Sequence, residues 1–188
     1  MSLHDQIASA FLRHDKIALQ FSGGRDSTAA LYLLRDHWPK IMVYHLDGGD
    51  QFPETKRVVN QVELEFGRPF VRLHGDVQRV WREFGLPSDL VPTDTTPIGR
   101  MLSGSQVKII DRYECCFRTV MEPVHRRMMA DGVTLIIRGQ RDSDFAAPPM
   151  RSGDTDAGIE FLYPLQAWSD DEVNAYLKEN NQPVAPFY

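Results

Sequence analysis

The chain has 188 residues, of which 42% are hydrophobic and 25% charged, and this composition is typical of one folded domain rather than of a disordered segment. Its formal net charge of −5 argues against general electrostatic binding to nucleic acid. Because no apolar run is long enough to span a membrane and the first residues lack the basic and apolar regions of a signal peptide, we expect a single cytoplasmic domain over residues 1–188.

Apolar runs rich in Val, Ile and Leu predict the β-strands, and segments of helical periodicity separate them. The runs are nearly continuous instead of alternating, which is typical of a parallel sheet that is covered on both faces. The order of the elements predicts an α/β fold with a doubly wound, mainly parallel sheet and helices on both faces. The predicted strands are 16–21, 41–46, 70–73 and 133–137, and the predicted helices are 27 to about 37, 53–66, 123–130 and a last helix capped by Ser169.

Two stretches lack such patterns. Prolines and glycines interrupt residues 85–106 repeatedly, and no packed regular element is expected there. A long irregular segment of this kind indicates a lid or a binding loop, with an unstructured insertion as the alternative. Residues 138–158 are polar and are also predicted to form a loop.

A glycine-rich segment connects the first predicted strand to the first predicted helix. Two adjacent glycines allow a sharp turn and a close approach to a ligand, and the helix that follows directs N–H groups and its positive dipole end at the loop. This arrangement predicts a phosphate site with serine and threonine hydroxyls as additional donors, whereas an ordinary turn with Ser27 as the helix cap is the alternative. The segment reads Ser22-Gly23-Gly24-Arg25-Asp26-Ser27-Thr28.

This loop resembles the PP-loop, Ser-Gly-Gly-x-Asp-Ser, of the ATP pyrophosphatase superfamily, whose members split ATP between the α and β phosphates. Further segments, in order along the chain, resemble the branch of phosphoadenosine phosphosulfate (PAPS) reductases, adenylyl-sulfate (APS) reductases, the small subunit of ATP sulfurylase and a type of FAD synthetase. The resemblance implies an adenine nucleotide α-hydrolase-like fold and an adenine nucleotide as the ligand. The segments are Asp47-Gly48-Gly49-Asp50 with Phe52-Pro53-Glu54-Thr55, Cys115-Cys116 with Arg118 and Glu122-Pro123, Gly139-Gln140-Arg141 with Ser143 and Arg151, and Tyr163-Pro164-Leu165 with Trp168.

The residue types in these segments agree with such roles. Guanidinium groups such as those of Arg141 and Arg151 suit phosphate or sulfate, although either residue could be an ordinary surface arginine. Asp47 could hold Mg²⁺ through water or only form a turn, and Asp26 could orient the loop or only stabilise the first helical turn. With the resemblance, the predicted catalytic residues are Asp26, Arg141 and Arg151, and the predicted nucleotide-binding residues are Ser22, Gly23, Gly24, Arg25, Ser27, Thr28, Asp47 and Gly139.

Two differences from the reductases bear on the reaction. The reductases carry degenerate PP-loops, whereas this loop is of the ATP type, which implies ATP–Mg²⁺ and adenylation of an oxyanion acceptor. The reductases also use a cysteine on a C-terminal tail, and no cysteine follows Cys116 here. The open alternatives are an APS or PAPS reductase domain without that cysteine, and a non-catalytic nucleotide-binding subunit that acts with a partner subunit or as a homo-oligomer.

The two cysteines of the chain are adjacent, at Cys115 and Cys116. In the APS reductases that the segment resembles, such a pair supplies two ligands of an iron–sulfur cluster. A four-iron cluster takes four thiolates, and this sequence has two cysteines in total. We therefore expect no iron–sulfur cluster in this chain alone: either the chain is a fragment of a longer protein, or a second subunit contributes the other ligands, or the pair is a remnant of the cluster site.

Overall fold

The computed structural model shows an α/β architecture built on a six-stranded sheet. It describes residues 2–88, 101, 108–144, 148 and 150–188. The chain divides into two compact units. The first comprises Met1–His45, Gln51–Arg72 and Met128–Tyr188, and the second comprises Leu46–Asp50 and Leu73–Arg127. The single domain expected over residues 1–188 stays a prediction.

The main sheet has the strand order β3-β2-β1-β6-β8-β7. β1 runs parallel to β2 and β6, β6 runs parallel to β8, and β7 runs antiparallel to β8. The predicted mainly parallel α/β fold is therefore confirmed. The strands are β1 (Ile17–Gln20), β2 (Ile41–Asp47), β3 (Val71–His74), β4 (Leu86–Pro87), β5 (Ile109–Ile110), β6 (Leu135–Ile137), β7 (Thr155–Asp156) and β8 (Ile159–Leu162).

The strand order places β2 and β6 on opposite sides of β1, so the direction of chain winding reverses at β1. In open parallel sheets the loops at the carboxyl ends of the strands beside such a reversal form a crevice in which ligands bind. The loop after β1 begins at Phe21 and the loop after β6 begins at Arg138. The topology thus brings these two loops to the same edge of the sheet.

Local sequence signals set the bounds of two helices as predicted. The second predicted helix has Pro53 in its first turn and ends at Gly67, which has a φ of 75°. The last helix begins after Ser169, whose hydroxyl accepts the Glu172 N–H while the Glu172 carboxylate accepts the Ser169 N–H. The helices are α1 (Leu3–Arg13), α2 (Arg25–Leu33), a 3₁₀ helix (Arg35–Lys40), α3 (Pro53–Phe66), α4 (Val77–Phe84), α5 (Arg112–Cys116), a π-helical segment (Phe117–Met121), α6 (Glu122–Ala130) and α7 (Asp170–Glu179).

Other helix predictions need correction. The helix expected over 27 to about 37 ends at Leu33 and gives way to the 3₁₀ helix, which contains Pro39. The helix predicted over 123–130 is present as α6 (Glu122–Ala130), but Pro123 is not its free start, because helical backbone continues from α5 through the π-helical segment into α6. The wider π turn before Pro123 accommodates a residue that has no N–H to donate. Neither α1 nor α4 was predicted, and none of the helices in the described ranges is long and apolar enough to cross a membrane.

Within residues 85–106 the structure describes residues 85–88 and 101, and residues 85–88 include a short strand. Leu86–Pro87 pairs in parallel with Ile109–Ile110, so the expectation of an entirely irregular stretch is wrong at its first residues. Residues 89–100 and 102–107, on which the predicted lid falls, lie outside the described residues. The predicted lid therefore stays a prediction.

Helix α2 is buried between the sheet and α7. Leu31 belongs to the main core, which also contains Ile17 and Leu19 of β1. On another face of α2, Ala29 and Ala30 pack against Val173 and Leu177 of α7. Alanine side chains allow the two helices to approach closely, and each fully buried Leu or Val contributes about 1.5–3 kcal/mol. This packing holds the start of α2, and with it the preceding loop, in a fixed position.

A charged cluster attaches the end of α1 to strand β8. The Glu160 carboxylate is buried and accepts hydrogen bonds from Arg13, and it lies 2.8 Å from Nε2 of His14. Burial raises the pKa of Glu160, but the hydrogen bonds from Arg13 and His14 together outweigh it, so the net pKa is lowered. Nδ1 of His14 lies 3.0 Å from Oγ1 of Thr134. This cluster stabilises the fold away from the glycine-rich loop.

Candidate functional site

Gly23 forms the turn between β1 and α2. Its φ of +82° lies in the left-handed region, which side chains with a Cβ rarely adopt. A Cβ on Gly23 would also stand 2.7 Å from Cγ2 of Val59 and 2.9 Å from Cγ2 of Thr55, both on α3. The turn therefore requires glycine for its backbone conformation and for its close packing on α3.

The hydroxyl groups of the loop bind its own backbone. Ser22 Oγ accepts the Gly24 N–H at 3.2 Å and lies 3.0 Å from Ser27 Oγ. Ser27 and Thr28 both donate to the Gly24 carbonyl, at 2.9 and 3.0 Å. Gly24 is the N-cap of α2 and Ser27 is not, so the interpretation of Ser27 as the helix cap is wrong. The hydroxyls thus hold the loop in shape before any ligand binds.

Gly139 brings the loop after β6 against the first turn of α2. A Cβ on Gly139 would lie 2.7 Å from the carbonyl carbon and oxygen of Asp26 and 2.9 Å from the nitrogen of Ser27. These are backbone atoms, which cannot move aside as the end of a side chain can. Gly139 and the 22–28 loop, both predicted as parts of one nucleotide site, are therefore in direct contact.

Arg141 lies among three aspartates that come from three parts of the chain. Its side chain is 4% exposed, and its guanidinium donates to Asp144 at 3.1 Å and to Asp170 at 2.8 Å. Nε of Arg141 lies 3.1 Å from Oδ1 of Asp26, without the geometry of a hydrogen bond. Arg25 contacts Asp170 as well and lies 3.7 Å from Asp26. The cluster joins the first turns of α2 and α7.

The charges of this cluster change how the role of Arg141 is understood. Burial raises the pKa of Asp26, and the attraction of Arg141 and Arg25 offsets this only in part. The hydrogen bond from Arg141 lowers the pKa of Asp170. Carboxylates surround the Arg141 guanidinium, so an incoming anion would have to compete with them. These contacts suit a residue that positions the loop, and the predicted catalytic roles of Arg141 and Asp26 stay predictions.

Arg151 is on the surface and is paired. Its guanidinium donates to both carboxylate oxygens of Asp142, at 2.6 and 2.7 Å, and its side chain is 66% exposed. Gln166 also donates to Asp142, which fastens this part of the 138–158 loop. The predicted contact of Arg151 with substrate stays a prediction.

The remaining predicted site residues lie in the second unit. Asp47 ends β2, and its Oδ1 accepts the Gly49 N–H at 2.9 Å. This hydrogen bond forms the turn that was predicted as the alternative to a metal role for Asp47. Cys115 is buried and Cys116 is exposed at the end of α5. Among the described residues, no group of three or more His, Cys, Asp or Glu side chains could hold a metal ion. The roles of Asp47 and of the cysteine pair toward metals stay predictions.

The sequence patterns did not predict that three further residues lie at the site. Asp170 was assigned only to the N-terminal turn of the last helix, and Asp144 only to a polar loop. Tyr188, at the far end of the chain, places its hydroxyl 3.1 Å from the position that a Cβ on Gly24 would take. No local pattern indicates these contacts, because each depends on tertiary structure.

Comparison with known proteins identifies the family of the chain. The family model described as "Phosphoadenosine phosphosulfate reductase domain" matches residues 16–188. An adenosine 5'-phosphosulfate reductase of Allochromatium vinosum is 23% identical over 93% of this chain. A phosphoadenosine 5'-phosphosulfate reductase of Gloeobacter violaceus is 21% identical over 93% of this chain. The chain spans 63% of the first relative's length and 66% of the second's.

A solved structure supports the fold. The phosphoadenylyl-sulfate (PAPS) reductase of Candida auris, crystallised as a phosphate complex, aligns with a TM-score of 0.68 at 18% identity. The alignment covers 100% of this chain and 83% of that protein. On the match of the family model to nearly the whole sequence, the chain belongs to the phosphoadenosine phosphosulfate reductase domain family.

Proposed function

We propose that this chain binds an adenine nucleotide at the 22–28 loop and that, with ATP and Mg²⁺, it transfers the adenylyl group to an oxyanion acceptor in sulfur or nucleotide metabolism. The acceptor oxygen attacks the α-phosphorus, the bond from that phosphorus to the bridging oxygen breaks, and pyrophosphate leaves. The observation that carries the proposal is the preformed loop of ATP-type sequence where the chain reverses direction at β1.

The loop suits the pyrophosphate part of ATP for two physical reasons. The first N–H groups of α2 have no partners within the helix, and the positive end of the helix dipole lies at the same place. Thr28 is fully buried and Ser27 nearly so, and both already bind the loop backbone, which leaves Ser22 as the exposed hydroxyl-bearing residue of the loop. Catalysis at such a site consists of positioning and of neutralising the charge that develops on the leaving group.

Arg141 takes an indirect part in this proposal. Through Asp26 it fixes the first turn of α2, and through Asp170 it fixes the adjacent turn of α7. The N–H groups that would face the phosphates are thereby held in place before binding, which avoids the cost of ordering them later. Magnesium ion would neutralise part of the phosphate charge; Asp47 remains the candidate protein residue for it.

A second candidate is favoured by the names of the relatives. The matched proteins are named as APS or PAPS reductases, so an APS or PAPS molecule is the alternative ligand of the same loop. In that case the sulfate or phosphate group would occupy the place assigned above to pyrophosphate. The ATP-type sequence of the loop favours the first candidate.

The reaction can be tested by the exchange of labelled pyrophosphate into ATP, with sulfate and flavin mononucleotide supplied separately as acceptors. We expect exchange that depends on Mg²⁺ and on one acceptor, and we expect it to fall in Ser22→Ala, because that change removes the hydroxyl that orders Gly24. Ser9→Ala, on α1, is the matched control and should retain full exchange. An absence of exchange with every acceptor, together with tight binding of APS or PAPS, would favour the second candidate.

A further inference from the structure

Tyr188 lies against the glycine-rich loop. Ala185 is 1% exposed and belongs to the main core, and the Tyr188 N–H donates to its carbonyl at 3.2 Å. From this anchor the Tyr188 ring extends to Gly24, where a Cβ would meet the phenol oxygen at 3.1 Å and the ring carbon that bears it at 3.9 Å. The phenol oxygen therefore lies close to Gly24, the N-cap of α2.

Two aromatic rings hold the phenol in this position. The ring of Phe187 lies 5.1 Å from that of Tyr188 and 5.7 Å from that of Phe52. Phe52 is the N-cap of α3, the helix on which Gly23 packs. Tilted contacts between aromatic rings at these distances are favourable. The same helix thus positions the loop and, through these rings, the phenol.

The hydroxyl of Tyr188 makes no hydrogen bond to any of the residues that the structure describes, and the residue is 59% exposed. A phenol oxygen carries one O–H donor, and here that oxygen lies close to a loop whose helix dipole attracts anions. A donor bound to an ionised acceptor forms a shorter and stronger hydrogen bond than one bound to a neutral group. An anionic ligand at the loop would provide the acceptor that the phenol lacks in the chain.

We propose that Tyr188 is a binding residue of the phosphate loop and donates its phenol O–H to an anionic oxygen of the ligand held at residues 22–28. This inference rests on the proposed function, since it needs a ligand at that loop. The inference goes beyond the proposed function because it assigns a side-chain donor from outside the loop. The ligand chemistry that it names is a phosphate-type oxyanion, and pyrophosphate is the smallest probe of it.

The test measures the dissociation constants of pyrophosphate and of ATP–Mg²⁺ by calorimetry for the wild-type chain and for Tyr188→Phe. Because the phenol is exposed and is hydrated when no ligand is bound, we expect affinity for both probes to fall by roughly tenfold, the lower end for a hydrogen bond to a charged group. Tyr113→Phe is the matched control, since Tyr113 is 51% exposed and belongs to the second unit. It should bind both probes as the wild type does.

A spectroscopic measurement separates a direct hydrogen bond from a general effect on structure. Addition of pyrophosphate should change the tyrosine absorption of the wild-type chain and of Tyr113→Phe, and this change should be absent in Tyr188→Phe. Equal affinities of wild type and Tyr188→Phe would overturn the inference and leave the proposed function intact. Tighter binding by Tyr188→Phe would overturn it too, because the phenol would then be a competitor of the ligand. If the wild type bound neither probe, both the inference and the proposed function would fail.

Discussion

Replacing Arg141 by methionine should destabilise the first unit strongly. The substitution keeps an unbranched aliphatic stem but removes the guanidinium, whose charge Asp26, Asp144 and Asp170 share. Removing one partner of a fully buried ion pair costs about 3–5 kcal/mol. Here the carboxylate side chains are 30%, 27% and 64% exposed, so water screens part of the charge that is left behind. We therefore expect a loss of about 2 kcal/mol in the free energy of unfolding at pH 7.

The loss should depend on pH in a defined direction. The raised pKa of Asp26 means that the folded chain keeps this proton at a pH where the unfolded chain has released it. The penalty for burying the charged carboxylate is absent below the unfolded pKa of about 3.9, grows as pH rises from there to the folded pKa, and is complete above the folded pKa. Without Arg141 the folded pKa rises further, so Arg141→Met should be closer to wild type at pH 5 than at pH 7.

The assay is urea unfolding of each variant at both pH values. Arg151→Met is the matched control, because the Arg151–Asp142 pair is exposed and such pairs contribute about 0–1 kcal/mol. The double variant Arg141→Met with Asp26→Asn should recover part of the stability, since it no longer buries an unpaired charge. A cost for Arg141→Met no greater than that of Arg151→Met, or one that is the same at both pH values, would refute this account of the cluster.

Three further predictions concern other parts of the chain. Gly139→Ala should lower the free energy of unfolding by about 1–3 kcal/mol, because the new Cβ meets backbone atoms of α2. Gly48→Ala is the control and should cost less, since its Cβ meets only the end of a side chain; equal costs would contradict this reasoning. Glu160→Gln should destabilise the chain at pH 7, and the difference from wild type should vanish as pH falls through the lowered pKa of Glu160; acid titrations that stay parallel would exclude it. Anaerobic reconstitution with iron and sulfide should leave this chain without a four-iron cluster, and four irons per chain, bound through Cys115 and Cys116, would be the opposite result.

Local signals in the sequence were sufficient for part of the fold. Helix α3 has Pro53 at its start and Gly67 at its end, and helix α7 has the reciprocal bonds of Ser169, so both could be bounded without tertiary information. The strands of the sheet centre could be predicted because they are buried on both faces and read as apolar runs. The loop at 22–28 could be located because its glycines lie between such a strand and a helix.

Other features depend on contacts that local patterns do not record. Pro123 was taken for a helix start, yet the π turn before it lets the helical backbone continue. The pairing of Arg141 with Asp170 joins residues 29 positions apart, so the neutralisation of the Arg141 charge could not be predicted from either segment alone. Tyr188 reaches Gly24 from the other end of the chain. The motifs thus indicated a candidate site, while the ion pairs among its residues required the structure.

The central claim is that the 22–28 loop binds an adenine nucleotide and prefers ATP. The most direct test is a parallel anaerobic binding titration of the purified chain with ATP–Mg²⁺, APS and PAPS. Tight binding of ATP–Mg²⁺ with weak binding of both sulfonucleotides is the result that the ATP-type loop predicts. Tight binding of APS or PAPS with weak binding of ATP would contradict it and would favour a sulfonucleotide reductase domain.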